Sequence, residues 1–420
     1  MAALTDGGLL AAATAFGTPA YVYDLGALTT RYQALDAAFA PYLSIRYAVK
    51  ANPNEAVLKC LLGLGALIDA SSIGEVRRAV AAGTAPELIS FTGPGKRRTE
   101  IAEAVALRIG AMVLESPGQA VQAQAEAAQR GLVQKVLLRV SPHHSPRGFG
   151  ARMTGHATQF GVDEEDAAQV LADIAAMPNL ALEGLHFYSG SNSLEELAIA
   201  ENFGIFTALS IRLGEPLALP FRRLVFGSGF GVPYHDGQRA LDLPTLATGV
   251  LAAIAPLAEN PKTAAARLDL ELGRWLVAPA GVLLTSVLTR KQSRAATVLI
   301  CDAGFNAHMA ACGMMGSVLR RNWPIRTLCP QSPVQEKVTV AGPLCTSIDQ
   351  LARDLEIARA DVGDVLEVAM SGAYGLTASP VGFISHEVTR ELVWTGSGMV
   401  DVTGAGAAAV HSKCGDASGT

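Results

Sequence analysis

A (β/α)8 barrel of the α/β class, joined to a second, β-rich domain, is the fold this 420-residue sequence predicts, and three observations predict it. Short β-rich runs alternate with alanine-rich stretches of helical apolar spacing from about residue 28 onward. The polar and Gly-rich groups that stand out lie at the C-terminal ends of those runs, where such barrels build their sites. Beyond about residue 274 the helical stretches stop and strand-like runs follow one another.

The strand candidates, in order, are SIRYAVKA (44–51), ALIDASS (66–72), LISFTGP (88–94), AMVLESP (111–117), KVLLRVSP (135–142), LEGLHFYSG (182–190), RLVFGSG (223–229) and ARLDLELG (266–273). Each but the last is followed by a helical pattern, such as IGEVRRAVAAG or AAQVLADIAAM. Residues 28–265 are assigned to the barrel, and 1–27 with 266–420 to the β-rich domain. VLLTSVLTRKQ, ATVLICDAG, EKVTVAGPLC, DVLEVAM and FISHEV supply strands of that second domain. SPHHSPRGFGARMTGHATQFG (141–161) is too rich in Gly and Pro for a regular element and reads as a long loop over the barrel mouth.

Bulk properties narrow the function classes. Half the residues are hydrophobic and 17% are charged, which describes a globular chain with ample core. A net charge of -5 leaves no electrostatic footprint for nucleic acid or an anionic membrane. The first twenty residues lack the basic start and long apolar run of a signal peptide, and no uninterrupted apolar run is long enough to span a bilayer, so a cytoplasmic protein is expected. Cys60, Cys301, Cys312, Cys329, Cys345 and Cys414 are scattered without a CxxC pair, which reads as reduced thiols and no zinc site.

Lys50 ends an apolar strand and is followed at once by Ala-Asn-Pro-Asn. A buried ammonium loses its proton readily, which suits an amine that must attack a carbonyl. A lysine leaving the sheet to snorkel into water is the plainer alternative. FGSGFG (226–231) and ELGR (271–274) end the seventh and eighth strand candidates, where barrels commonly bind phosphate through backbone N–H groups. A lysine after strand one and an anion cradle after strands seven and eight fit a phosphorylated aldehyde cofactor.

YAVKAN, DASSIGE, FGSGFG, ELGR, GPLCTSID and SGAYG, in that order and spacing, resemble the fold-type III pyridoxal-phosphate decarboxylases, the family of ornithine and diaminopimelate decarboxylases. The resemblance covers about residues 20–400. It implies an alanine-racemase-like TIM barrel with a β-rich domain, pyridoxal 5′-phosphate carried on Lys50, and a homodimer whose β-rich domains complete shared sites. It further implies that Glu271 meets the pyridine nitrogen, and that Ser191, Gly227, Gly229, Gly273, Arg274 and Tyr374 hold the phosphate region. Asp69 and Arg139 match positions near the cofactor, where an ion pair would order the surroundings. Cys345 matches the cysteine that reaches in from the other subunit to protonate the α-carbon.

The departures from the family carry information. Tyr188 stands where the family's cofactor-stacking histidine is found, with His186 two residues earlier. Thr346 follows Cys345 where the family carries an acidic residue for a distal amine. The 302–325 stretch resembles a subgroup that acts on conjugated or carrier-linked amino acids in siderophore and other natural-product pathways, and His308, Arg320 and Arg321 become candidates for an anionic substrate tail. The expected activity is decarboxylation of an α-amino acid, with a citryl-conjugated or carrier-linked amino acid as the expected substrate. Diaminopimelate, ornithine or lysine decarboxylation is the alternative, and amino-acid racemization a more distant one, since racemases place an arginine where Glu271 stands.

Overall fold

The structure, a computed structural model, describes residues 2–313 and 321–404. Eight parallel strands close into a barrel: Ser44–Ala48, Leu67–Ala70, Ile89–Phe91, Ala111–Leu114, Gln134–Ser141, Leu180–Phe187, Arg223–Gly227 and Arg267–Leu272. Closure is direct, since strand eight pairs with strand one through Glu271 opposite Arg46, and strand four pairs with strand five. The first seven strands are each followed by a helix. Strand eight is followed only by the single turn Arg274–Val277, and helix Leu25–Phe39, which precedes strand one, packs beside that turn and beside helix Leu243–Ile254. The outer layer is thereby completed by a helix from the start of the chain. All eight expected strands are present, but a barrel ending at residue 265 is corrected: Arg267–Leu272 hydrogen-bonds to barrel strands on both sides, so the barrel reaches Leu272.

Polar residues at several strand ends are helix caps. The Ser72 hydroxyl accepts from Glu75 N at 3.1 Å, and the Asp242 carboxylate accepts from Thr245 N at 3.0 Å. Such caps are worth about 1 kcal/mol each. The closed end of the barrel holds a buried Arg46–Asp269 pair at 2.7 Å, with Arg46 also donating to Ile68 O. Losing either partner would strand a buried charge, at a cost of roughly 3–5 kcal/mol.

Helix Glu196–Gly214 is the one described helix long and apolar enough to cross a membrane. It is a core helix: Phe206 stacks on Phe187 of strand six at 5.0 Å, and Phe203 meets Phe226 of strand seven edge-on.

The second domain is a mixed sheet. Its central strand Gly281–Ser293 runs antiparallel to Ala20–Asp24, Ala296–Cys301 and Val365–Val368. Ala20–Asp24 also runs parallel to Arg390–Trp394, so the N-terminal segment is woven into this sheet. The 141–161 segment crosses the mouth as expected. It is tied down by a two-residue ladder, Ala151–Arg152 against Gly190–Ser191, and by Met153 N donating to Ser189 O at 2.9 Å.

Candidate active site at the barrel mouth

The turn after strand one answers why Ala-Asn-Pro-Asn follows Lys50. Asn52 Oδ1 accepts from Asn54 N, and Asn52 Nδ2 donates to Gly372 O at 2.9 Å, bolting the turn to the second domain. Asn54 then caps the next helix by accepting from Ala56 N. Tyr374 N donates to Ala51 O at 2.8 Å from the other side. Tyr374 is held at φ +53°, a conformation that a bulky residue adopts only under tertiary constraint.

Lys50 faces into a cleft bounded by Tyr188, Ser191, Gly229, Glu271, Arg274 and Tyr374. Burial alone would push its ammonium toward losing the proton, but the Glu271 carboxylate, aided by Asp69, pulls harder the other way. Its pKa therefore lies above the ordinary lysine value, and the simple expectation of a readily deprotonated buried amine is reversed by the neighbouring charges.

Glu271 is 2% exposed and sits 2.9 Å from His186 Nε2. Burial works against its charge, yet the His186 hydrogen bond, Lys50 and Arg139 outweigh it and hold the carboxyl at about 2. Asp69, fully buried, accepts from Thr92 Oγ1 at 2.5 Å and from Ser90 Oγ at 3.2 Å. Burial and the charge of Glu271 push its carboxyl up to about 7 against the pull of Lys50. The expected pairing of Asp69 with Arg139 is corrected. Arg139 instead pairs with Glu115 at 3.1 Å, because Glu115 closes strand four beside it. The Arg139 guanidinium lies 4.6 Å from the Phe160 ring of the mouth segment and 6.0 Å from the Tyr188 ring.

Across the cleft, Arg274 Nη1 donates to the Tyr234 hydroxyl at 2.8 Å, and its guanidinium lies 4.7 Å from the Tyr374 ring. Nη2 reaches Ser191 Oγ at 3.5 Å. Gly229, at φ +65°, has no room for a Cβ, which would come within 2.6 Å of the Phe149 ring. At Gly273 a Cβ would come within 2.6 Å of the Ala51 Cβ. Gly227 ends strand seven beneath the Tyr188 ring.

Among the described residues, Asp69 Oδ2, His186 Nδ1 and Arg274 Nε are buried around the cleft without a hydrogen-bond partner. Together with an amine, an ionised carboxylate and a glycine-lined turn beside an arginine, they fit a phosphorylated pyridine aldehyde.

Other expected residues stand elsewhere. Cys345 and Thr346 lie on the loop joining Gln335–Ala341 to Gln350–Ala358, with Cys345 exposed. That loop is built on Asp349, whose carboxylate accepts from Phe305 N and Leu344 N at 2.7 and 2.8 Å. His308 is corrected as a contact for substrate, because it is fully buried. Its Nδ1 accepts from Ala311 N, so Nε2 carries the hydrogen and donates to Ser371 Oγ at 3.1 Å, and burial lowers its pKa to about 3. Its packing against Trp323 supports the wall of the site. Arg321 is exposed and lines a separate groove of mixed charge with His235, Asp236, Asn322, Arg353 and Asp354. Arg320 lies outside the described residues. Sequence reasoning missed Glu115, which as a polar residue ending a strand candidate was open to detection. It also missed Tyr234, whose role exists only through the fold.

Comparison with known proteins agrees with this geometry. Residues 25–278 match the family described as the pyridoxal-binding domain of pyridoxal-dependent decarboxylases. An L-glutamyl-[BtrI acyl-carrier protein] decarboxylase of Niallia circulans is 32% identical over 386 residues, covering 90% of this chain and 89% of the relative. A diaminopimelate decarboxylase of Zymomonas mobilis is 31% identical over 395 residues, covering 92% and 89%. Among solved structures, the M. jannaschii diaminopimelate decarboxylase in complex with L-lysine superposes with a TM-score of 0.87 at 26% identity, covering 94% of this chain and 91% of that one. A lysine at the end of strand one, an anion cradle after strands seven and eight and a match over most of the chain lead to one conclusion: this protein belongs to the pyridoxal-dependent decarboxylases, and is a pyridoxal-phosphate-dependent amino-acid decarboxylase.

Proposed function

We propose that this enzyme decarboxylates an amino acid attached to a larger anionic group, such as a carrier protein's phosphopantetheine arm or a citryl unit, within a biosynthetic pathway of the siderophore or natural-product type. One observation carries the reading. A free diamino acid needs a carboxylate to meet its distal ammonium, and leaving that ammonium desolvated and unpaired costs a few kcal/mol, about 3–5. Thr346 follows Cys345 where such a carboxylate is expected, and the loop's one acidic residue, Asp349, spends both oxygens on backbone N–H groups. Two features add support. The relative that acts on a carrier-linked glutamyl group is similar over 90% of this chain. The Arg321 groove borders the site through sequence neighbours, since His235 follows Tyr234 and Asn322 precedes Trp323, with the two rings 4.1 Å apart.

Bound pyridoxal phosphate supplies an electron-accepting ring that takes up the pair left when the α-carboxylate departs as CO2. Lys50 holds the cofactor covalently and then moves protons at its Nζ. The Glu271 carboxylate would meet the ring nitrogen of the bound cofactor and favour its protonated form. Ser191, Arg274 and Tyr374, with the backbone at Gly229 and Gly273, grip the phosphate. Tyr188 would offer its ring to the cofactor, while Asp69, held by Ser90 and Thr92, and the Arg139–Glu115 pair order the surroundings of Lys50. Cys345 Sγ of a second copy protonates the α-carbon, so the working unit is a homodimer.

The test compares kcat/KM for free diaminopimelate, ornithine and lysine with that for glutamyl-carrier protein and citryl-conjugated amino acids. A preference of at least about a hundredfold for a conjugated substrate is expected. Efficient turnover of a free diamino acid would return the enzyme to the diaminopimelate or ornithine class.

A further inference from the structure

We infer that His186 is a positioning residue that keeps the proton on the cofactor's ring nitrogen by hydrogen-bonding Glu271. The inference rests on the reading of Glu271 as the partner of that nitrogen. His186 and Glu271 come from strands six and eight, which flank strand seven at the barrel's centre. Both are nearly solvent-free, at 1% and 2% exposure, and Nε2 lies 2.9 Å from Oε2.

The protonation state follows from the surroundings. Burial holds the imidazole below its ordinary pKa, and Nδ1 has no partner among the described residues. The hydrogen therefore sits on Nε2, and a neutral His186 donates to the carboxylate. A donor to a carboxylate lowers its proton affinity. In a dry site the proton between a ring nitrogen and a carboxylate rests on whichever is more basic. Without His186, burial would raise the basicity of Glu271, and the proton would move from the ring toward the carboxylate. Lys50 and Arg139 also favour the ionised carboxylate, but His186 is the group hydrogen-bonded to it. The side chain two residues later, Tyr188, lies on the same face of the strand and offers its ring to the cleft. Strand six thus supplies a stacking ring and a tuning donor at successive inward positions.

The experiment reads the ring directly. Enzyme reconstituted with pyridoxal phosphate labelled with ¹⁵N in the ring is compared across wild type, His186→Leu, His186→Gln and Glu271→Ala by ¹⁵N chemical shift, with far-UV circular dichroism and cofactor affinity checking the fold. The expected result is a protonated-ring shift in wild type and in His186→Gln, which retains an N–H donor, and movement toward the unprotonated shift in His186→Leu and Glu271→Ala. kcat of His186→Leu should fall roughly tenfold to a hundredfold while KM changes little. A Glu271→Ala shift equal to wild type would overturn the reading of Glu271 itself. A Glu271→Ala shift that moves while His186→Leu stays at the wild-type value would overturn the role of His186. Failure of His186→Gln to restore the shift in a folded, cofactor-binding protein would also overturn it.

Discussion

The barrel side of the site and the β-domain side are built to different degrees by one chain. Lys50, Asp69, Glu271 and Arg274 are packed among partners within the chain, and their charges are already balanced against one another. Cys345 stands on an exposed loop beside Ile348, an aliphatic residue 50% exposed. The loop itself is rigidly specified, since Asp349 crosslinks it to Phe305 and leaves no room for a Cβ at Gly304 or Gly342. The thiol of this well-defined loop faces outward, as the proposed pairing with a second copy requires. The contrast fits the proposed division of labour, in which one chain captures the cofactor and a second copy delivers the proton.

The sharpest break in that comparison removes one half at a time. Lys50→Ala should lower turnover at least about ten-thousandfold, because the amine proposed to carry the cofactor would be gone. Cys345→Ala should leave cofactor binding intact while greatly reducing product formation. Mixing the two inactive proteins should restore about a quarter of wild-type activity, since half the dimers would each hold one complete site. No recovery after demonstrated subunit exchange would place both residues in the same chain's site.

Arg274→Ala tests whether the barrel alone captures the cofactor. Losing its charge-assisted contacts should weaken pyridoxal-phosphate binding roughly tenfold to a hundredfold, measured by fluorescence titration. An unchanged affinity would move the phosphate grip elsewhere.

Asp69 sharpens the picture of balanced charge. Its carboxyl rises from 3.8 to about 7 on folding, so between those values the folded protein binds more protons than the unfolded one. Stability of the cofactor-free protein from this group therefore falls as pH rises through that window, and the deficit is complete above it. Glu271 is lowered from 4.5 to about 2 and Lys50 is raised above its alkaline ordinary value, and each favours the folded state at neutral pH. Asp69→Asn should thus gain roughly a few degrees in melting temperature at pH 8 relative to wild type, and less at pH 5. A difference that does not change with pH would mean that Asp69 is not strained by its neighbours.

The smallest expected effect lies at the rim. Arg321→Ala should raise KM for an anionic conjugated substrate roughly threefold, as exposed charges do, and leave the cofactor spectrum unchanged. Equal KM values for wild type and variant would detach the groove from substrate binding.

The eight strands were legible because each was a short apolar run punctuated by a polar or glycine-rich end, and that period survives any tertiary context. The residues at those ends were legible for the same reason: parallel strands in a closed barrel bring their C-terminal ends to one rim. The boundary at 265 missed because strand eight is followed by a single turn, and a helix from the start of the chain fills the gap, which no local pattern announces.

Alone, the sequence determined the architecture and the place of Lys50 and the glycine-rich turns at the barrel mouth, since these depend on residue type and local order. Only the tertiary structure decided partners. Charge and hydrogen-bond energies depend on distance and burial, which separate residues far apart in sequence cannot declare. Hence Arg139 chose Glu115 over Asp69, His308 went into the wall and not the site, and Lys50 kept its proton despite burial. For the same reason His186, noted in the sequence only for its place two residues before Tyr188, became the hydrogen-bond partner of Glu271 only when the barrel closed.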